Sequence, residues 1–452
     1  MSHLLKVRPA SRPLRGIVPV ASDKSIGHRA LMLAALADDV VEIKRFTYGE
    51  DNVSTLAALR SMGVQIEDDS KGSLKVHGVG LRGLREPNAA IDCGNSGTTM
   101  RLLAGLLAAQ PFKSTLIGDA SLTRRPMARI VNPLRRRGAA IEGAFHPTKA
   151  GEVTAPLSIG PLPHGAPLGQ SEEVLAVASA QVKSALLLSG LFAEGDTFVR
   201  EPVVSRDHTE RMLRALGAPL SVMGTMVSLE VAGWTRSLPA FSIEIPGDLS
   251  AAAFLLVAAQ LVPQSEVRVR GCGINPTRSG ILDVLRDAGA LLAIEQHGDV
   301  LGEPVGDVTS VFESIRGGLI AGETATRAID EIPVACALAA RANGVTEIAD
   351  VGELRVKESD RIATMTGVLR SFGIDVEERP DGMVVQGKPS GPLRAADVDS
   401  HGDHRVAMTA ALLGLLGDGE TVVRDVDCIA TSFPRFVGTM VALGADISVE
   451  SA

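Results

Sequence analysis

The residues of this chain that could do chemistry collect in a few short segments. SDKSIGHR carries Lys24, Ser25 and Arg29, GNSGTTMR carries Asn95, Gly97 and Arg101, and LTRRP carries Arg125. SAQVKS supplies Ser179, Gln181 and Lys183, SRDH supplies Ser205 and Arg206, RVKESDR supplies Lys357, Glu358 and Arg361, and DHR supplies Arg405. Each segment opens a helix-periodic run, and a helix start offers unpaired N–H groups and a positive dipole end to an anion. One Lys or Arg there reads as an ordinary solvated charge, since a cation opposes the dipole. Repeated along the chain, the pattern makes sense when an anion sits among the cations. Gly94 and Gly97 would let backbone N–H groups approach such a ligand, with a plain N-cap by Asn95 or Ser96 as the alternative. Asp330 and Glu358, acids at helix mouths, read either as caps and ion-pair partners or as acid/base groups beside the cations.

Composition narrows the ligand. The 452 residues carry a net charge of -8, from 45 basic and 53 acidic side chains, so no overall basic field holds nucleic acid or an anionic membrane. Aromatics at 3% supply few stacking platforms for single strands. Cys93, Cys272, Cys336 and Cys428 are too widely spaced for a disulfide framework, and reduced thiols are expected. The start MSHLLKVRPASRP lacks the apolar stretch of a signal peptide, and the longest apolar run, residues 251–259, falls short of a membrane span. A cytoplasmic location is expected.

The elements that must position these residues come from a sixfold repeat. An apolar-periodic helix ends at Gly and leads into a strand at Gly63, Gly138, Gly217, Gly289, Gly373 and Gly444, at intervals of 75, 79, 72, 84 and 71 residues. Each unit also has an earlier Ala/Leu-rich helix, starting near Lys24, Ser96, Ala180, Leu249, Glu331 and His404, with so few charges that neighbours must enclose it. A unit therefore reads strand, buried helix, strand, amphipathic helix, then two strands. IVPVASDKS and IEIPGDLS share a pattern, so the fourth unit restarts what the first began. Two domains of three units follow.

Three motif matches lack their context. Gly78 to Gly83 fits G-x-G-x-x-G but no helix follows, and Gly382 to Lys388 resembles a P-loop with Pro389 in place of Ser/Thr. His401 and His404 have no third ligand nearby in sequence, so no metal is expected.

In their order, SDKSIGHR, CGNSGTTMR, GDASLTRRPM, ASAQVKSALLL, SRDHTERML, IDEIPV, ELRVKESDRI, DHRVAM and TSFPRF resemble the 5-enolpyruvylshikimate-3-phosphate synthase family over positions 22 to 436. The resemblance implies an α/β (α+β) chain with a two-domain inside-out barrel fold, each domain of three βαβαββ units around a pseudo-threefold axis. Residues 23–243 would form the N-terminal domain and 1–22 plus 244–452 the C-terminal one, with the active site in the cleft between them. The implied reaction moves the enolpyruvyl group of phosphoenolpyruvate onto the 5-hydroxyl of shikimate 3-phosphate, releasing phosphate by addition and elimination. No cofactor or metal is implied, and the expected state is a monomer acting on small molecules without nucleic acid or membrane partners.

Carried over by motif, shikimate 3-phosphate would meet Lys24, Ser25, Arg29, Ser179, Gln181, Ser205, Arg206, Asp330 and Lys357. Phosphoenolpyruvate would meet Lys24, Asn95, Gly97, Arg125, Gln181, Arg361 and Arg405. Asp330 would take the proton of the 5-hydroxyl, and Glu358 with Lys24 would protonate and deprotonate the methylene carbon. Two positions depart from many members: Thr431 stands where a Lys is common, and Glu353 where an Asn is common. Both departures resemble a branch of lower glyphosate sensitivity, but Gly97 lacks the methyl that crowds the inhibitor in resistant members, so competitive inhibition is expected. The rival readings are a UDP-sugar enolpyruvyl transferase, whose loop Cys is missing from residues 118–126, and a non-catalytic phosphate-binding protein.

Overall fold

The computed structural model describes residues 3–146, 148–162 and 166–451. Among these residues lie six four-stranded sheets of one plan. In one of them Ile91–Asp92 runs parallel to Ser114–Ile117, which pairs antiparallel with Val153–Ile159, whose other side takes Ile141–Phe145, again antiparallel. The expected βαβαββ unit is present six times, and the α/β class is borne out.

The strand order holds one arrangement that the repeat did not reveal. Arg15–Pro19, just ahead of the Lys24 helix, pairs parallel with Glu266–Gly273 of the fourth unit, while Ser242–Glu244, ahead of the Leu249 helix, pairs parallel with Val40–Lys44 of the first. The first and fourth units thus exchange their leading strands. His3–Val7 likewise completes the sixth sheet, between Thr421–Arg424 and Ile447–Ser451. The chain forms two compact units: Met1–Ala21 with Pro246–Gly298 and Pro304–Ala452, and Ser22–Ile245 with Asp299–Glu303. The short segment Asp299–Glu303, at a hairpin turn, groups with the second of these, a placement with no signature in the sequence.

Each unit has its own apolar core, and the six Ala/Leu-rich helices supply much of both. All residues of Leu249–Leu261 and of His404–Gly414 are buried. Burial of Leu249, Phe254, Leu255, Leu256, Val257 and Leu261 contributes on the order of 10 kcal/mol before chain entropy is subtracted. In the second core, Gly97–Leu107 packs on Ala180–Gly190 so closely that a methyl on Gly105 would lie 2.2 Å from the Ala185 carbonyl oxygen. Only glycine permits that approach.

The six repeat glycines all adopt positive φ, from 78° at Gly373 to 113° at Gly444. At Gly138 and Gly217 an added methyl would meet nothing, so backbone geometry rather than space selects glycine there. The starts of the buried helices are as regular. Asp23, Ser96, Ser179, Asp248 and Asp403 each cap a helix by accepting a hydrogen bond from a first-turn N–H.

Candidate active site

In the unit built around Ser22–Ile245, three buried helices present the expected residues at their starts. Lys24 opens Lys24–Ala35, and its Nζ lies 2.8 Å from an Asp51 carboxylate oxygen. Arg29, one turn on, is buried: Nε donates to the Thr209 hydroxyl at 2.7 Å, Nη2 to the Ser184 hydroxyl at 2.8 Å and Nη1 to the Ser25 carbonyl at 2.9 Å. Burial lowers its pKa to about 10, still high enough to keep the charge at neutral pH.

At the next helix Ser96, not Asn95, is the cap, which leaves the Asn95 side chain for other work. Its amide nitrogen donates to Asp119 at 2.7 Å, and its oxygen accepts from Arg125. A methyl on Gly97 would lie 2.8 Å from Arg101 Nη1 and 3.3 Å from Arg125 Nη1, so the glycine leaves room for two guanidinium groups. Arg101 Nη1 donates to the Gln181 oxygen at 2.6 Å, and the Gln181 nitrogen donates to Thr98 at 3.0 Å, tying the Gly97 and Ala180 helices together. Asn95, Gly97, Arg125 and Gln181 therefore form one neighbourhood, and Arg101 belongs to it although the family pattern did not assign it a ligand.

Ser179 and Ser205 are also brought together, through Glu201. Its carboxylate accepts from the Ser179 N–H at 2.9 Å and from the Ser205 hydroxyl at 2.6 Å. Lys183 is not available to a ligand: it is 1% exposed, 2.6 Å from Glu201 and 2.8 Å from Glu210. Burial works against its charge, but Glu210 and Glu201 outweigh burial and raise its pKa. Arg206 follows Ser205 directly, at the half-buried approach to the His208–Ala215 helix.

In the other unit the site residues converge on Arg361, which opens Arg361–Ser371. Its Nε lies 2.7 Å from Asp403, its Nη2 2.7 Å from Glu358 and its Nη1 3.6 Å from Asp330. Burial opposes its charge, yet Asp403, Glu358 and Asp330 together raise its pKa well above the ordinary arginine value. Asp403 is wholly buried; burial alone would raise its pKa, and Arg361 instead holds it below the usual range. Lys357 stands 3.7 Å from Asp330 and 3.5 Å from Glu353, so Glu353, where an Asn is common, supplies a second anion to this lysine. Arg405 donates to the Asp330 carbonyl at 2.8 Å and lies 3.8 Å from the buried Glu331. Thr431 closes the short turn Asp427–Thr431 and brings no charge where many members have a lysine.

The cations at the helix starts therefore have protein partners as well as the ligand they were taken to imply. Asp51, Glu201, Glu210 and Asp403 neutralise Lys24, Lys183 and Arg361, and sequence reading missed that role for all four because the pairs join different elements. One of the motif matches without context is explained too. Gly78 lies so close to the Ala37 carbonyl, 2.2 Å from an added methyl, that it serves chain packing rather than a phosphate. The four cysteines are free thiols, as expected.

Residues 9–440 match the family model for EPSP synthase (3-phosphoshikimate 1-carboxyvinyltransferase). The chain belongs to the EPSP synthase family. It is 48% identical over 446 residues to the 3-phosphoshikimate 1-carboxyvinyltransferase of Acidithiobacillus ferrooxidans, covering 99% of each chain. It is 49% identical over 430 residues to that of Geobacter metallireducens, covering 95% of this chain and 96% of the relative. The solved EPSP synthase of Acinetobacter baumannii superposes over all of both chains with a TM-score of 0.87 at 40% identity. The enolpyruvyl transferase NikO of Streptomyces tendae shares the fold, with a TM-score of 0.77 at 19% identity. EPSP synthases are transferases of the shikimate pathway, with a two-domain inside-out fold, that pass the enolpyruvyl group of phosphoenolpyruvate to shikimate 3-phosphate. That is the reaction of this family member, and these are its substrates.

Proposed function

We propose that Asp330 and Glu358 are the acid/base pair of this reaction and that the helix-start cations hold the two substrates. The observation that carries this reading is Arg361, which gathers both carboxylates on one guanidinium, at 3.6 and 2.7 Å. In the first half, the 5-hydroxyl oxygen attacks C2 of phosphoenolpyruvate as Asp330 takes its proton, and Glu358 gives a proton to the methylene carbon. The adduct then carries a methyl group. In the second half, Glu358 takes a proton back from that methyl, the double bond re-forms, and the C2–O bond to phosphate breaks; the proton on Asp330 leaves with phosphate. Lys24, Arg125 and Arg405 stabilise the phosphate and carboxylate charges, with Arg361, Asn95, Gly97 and Gln181 beside them. Ser25, Arg29, Ser179, Gln181, Ser205, Arg206 and Lys357 hold shikimate 3-phosphate.

The protein is proposed to act as a cytoplasmic monomer. Its acidic net charge supports small-molecule work without nucleic acid, and among the described residues no helix is long and apolar enough to cross a membrane. Light scattering reporting twice the 47.1 kDa chain mass would contradict the monomer. Phosphate release, measured with both substrates and with each alone, tests the reading. Release is expected only when both are present, and none when a UDP-sugar replaces shikimate 3-phosphate. Binding of both substrates without release would favour a phosphate-binding role instead.

Gly97 also leads to an inhibitor prediction. Glyphosate should compete with phosphoenolpyruvate, and Gly97→Ala should weaken inhibition by about tenfold or more, because the new methyl displaces Arg101 and Arg125. No inhibition of the wild type at millimolar glyphosate would contradict this.

A further inference from the structure

Glu201 lies where the strand Thr197–Arg200 ends, and its own N–H is fixed by the Thr225 carbonyl at 3.0 Å. The side chain is 2% exposed and uses both oxygens. Oε1 accepts from the Ser179 N–H at 2.9 Å and from the Ser205 hydroxyl at 2.6 Å. Oε2 accepts from Lys183 Nζ at 2.6 Å and from the Ser205 N–H at 3.2 Å. Lys183 completes the arrangement by donating to the Ser205 carbonyl at 3.4 Å and by facing Glu210 at 2.8 Å. One carboxylate thus fixes two segments that are 26 positions apart, the cap of the Ala180 helix and the loop ahead of the His208 helix.

We infer that Glu201, with Lys183 as its counter-charge, is a positioning residue that sets the spacing of Ser179 and Ser205 for the phosphate of shikimate 3-phosphate. This rests on the assignment of those serines made above. Neither Glu201 nor Lys183 touches the ligand; both act through the serines. The geometry also states how the site opens. A serine hydroxyl has one proton, and Ser205 gives it to Glu201, whereas a phosphate dianion accepts hydrogen bonds and donates none. Binding therefore requires the Ser205 proton to turn from Glu201 to the ligand. The carboxylate tolerates this because Lys183 and two backbone N–H groups still hold it.

A neutral amide at position 201 loses this logic. It sets an N–H₂ group against either Lys183 or the serine donors, leaves Lys183 to Glu210 alone, and frees the two segments to drift. The loss should fall on one substrate. A general weakening of the fold would instead lower the melting temperature and disturb both substrates alike.

The experiment measures kcat, the KM for each substrate and the melting temperature for Glu201→Gln, Glu201→Asp, Ser179→Ala and Ser205→Ala. For Glu201→Gln the expected result is a KM for shikimate 3-phosphate raised about tenfold or more, with kcat and the KM for phosphoenolpyruvate within about threefold of wild type. Glu201→Asp keeps the charge on a shorter arm and should fall between the two. A KM for shikimate 3-phosphate unchanged in Glu201→Gln, or both KM values raised equally, overturns the proposal. Where Glu201→Gln does not fold, Glu201→Asp decides by the same split: a selective rise supports the role and no rise refutes it. An unchanged KM in both serine variants would overturn the underlying assignment of the serines themselves.

Discussion

Glu358→Gln and Asp330→Asn should each lower kcat by about 10²–10⁴-fold, the range that a positioned acid/base group contributes. Glutamine and asparagine keep nearly the same shape, so the neighbours are retained while the proton traffic stops. The two losses should differ in kind. In the proposed mechanism Asp330 serves the attacking hydroxyl, so a substrate whose 5-oxygen needs no deprotonation would bypass it. Glu358 in that proposal serves carbon, where no water or phosphate oxygen is an easy substitute, and its loss should be the deeper of the two. The binding term complicates Asp330, because it also faces Lys357 at 3.7 Å and is expected to touch shikimate 3-phosphate. Its variant should therefore show a raised KM for that substrate as well. Stopped-flow measurement of phosphate release in single turnover separates the chemical step from product loss; a rate within tenfold of wild type in both variants would remove them from the acid/base roles.

Asp403→Asn should damage stability and activity together. Asp403 takes Nε and Nη2 of Arg361, at 2.7 and 3.3 Å, accepts from Ser359 at 3.0 Å and caps the His404 helix through the Arg405 N–H at 2.9 Å. Arg361 is 1% exposed, so removing the charge opposite it leaves a buried guanidinium short of its main partner. Breaking one side of a buried pair costs about 3–5 kcal/mol. The folded state lowers the Asp403 pKa, so its contribution is present above the ordinary aspartate value of about 3.9 and is lost as pH falls through the lower folded value. Denaturant titrations at neutral pH should show the full difference between wild type and variant. The difference should shrink on acidification, and a pH-independent gap would mean that the charge on Asp403 is not what stabilises the fold.

Most of the architecture could be read from one feature, the glycine at the end of each amphipathic helix. All six take the positive φ that a helix-to-strand turn needs, and their spacing marks six units. The exchange of Arg15–Pro19 and Ser242–Glu244 between units was not legible in the repeat itself, although the family resemblance groups residues 1–22 with the C-terminal half. A strand's parallel partner is chosen by tertiary packing, and nothing in five or three residues says which of two similar sheets will receive them. The site divided in the same way. The cations and the two acids proposed for catalysis were visible because they sit in short motifs at helix starts. Their buried counter-charges were not, since Asp51, Glu201 and Glu210 come from different elements and each reads alone as a surface acid. Asp403 carried a usable signal: an Asp directly before a buried helix, as at Asp23 and Asp248, is a cap held out of solvent.

The most direct measurement is the reaction run in deuterium oxide, with the product's methylene group examined by proton NMR or mass spectrometry. If Glu358 adds a solvent-derived proton to the methylene carbon, the resulting methyl rotates, and Glu358 then removes any one of the three, deuterium must appear in the wild-type product, and Glu358→Gln must lose that label along with turnover. Product formed at the normal rate with no deuterium in its methylene group would mean that no methyl adduct forms and that Glu358 does not work on carbon.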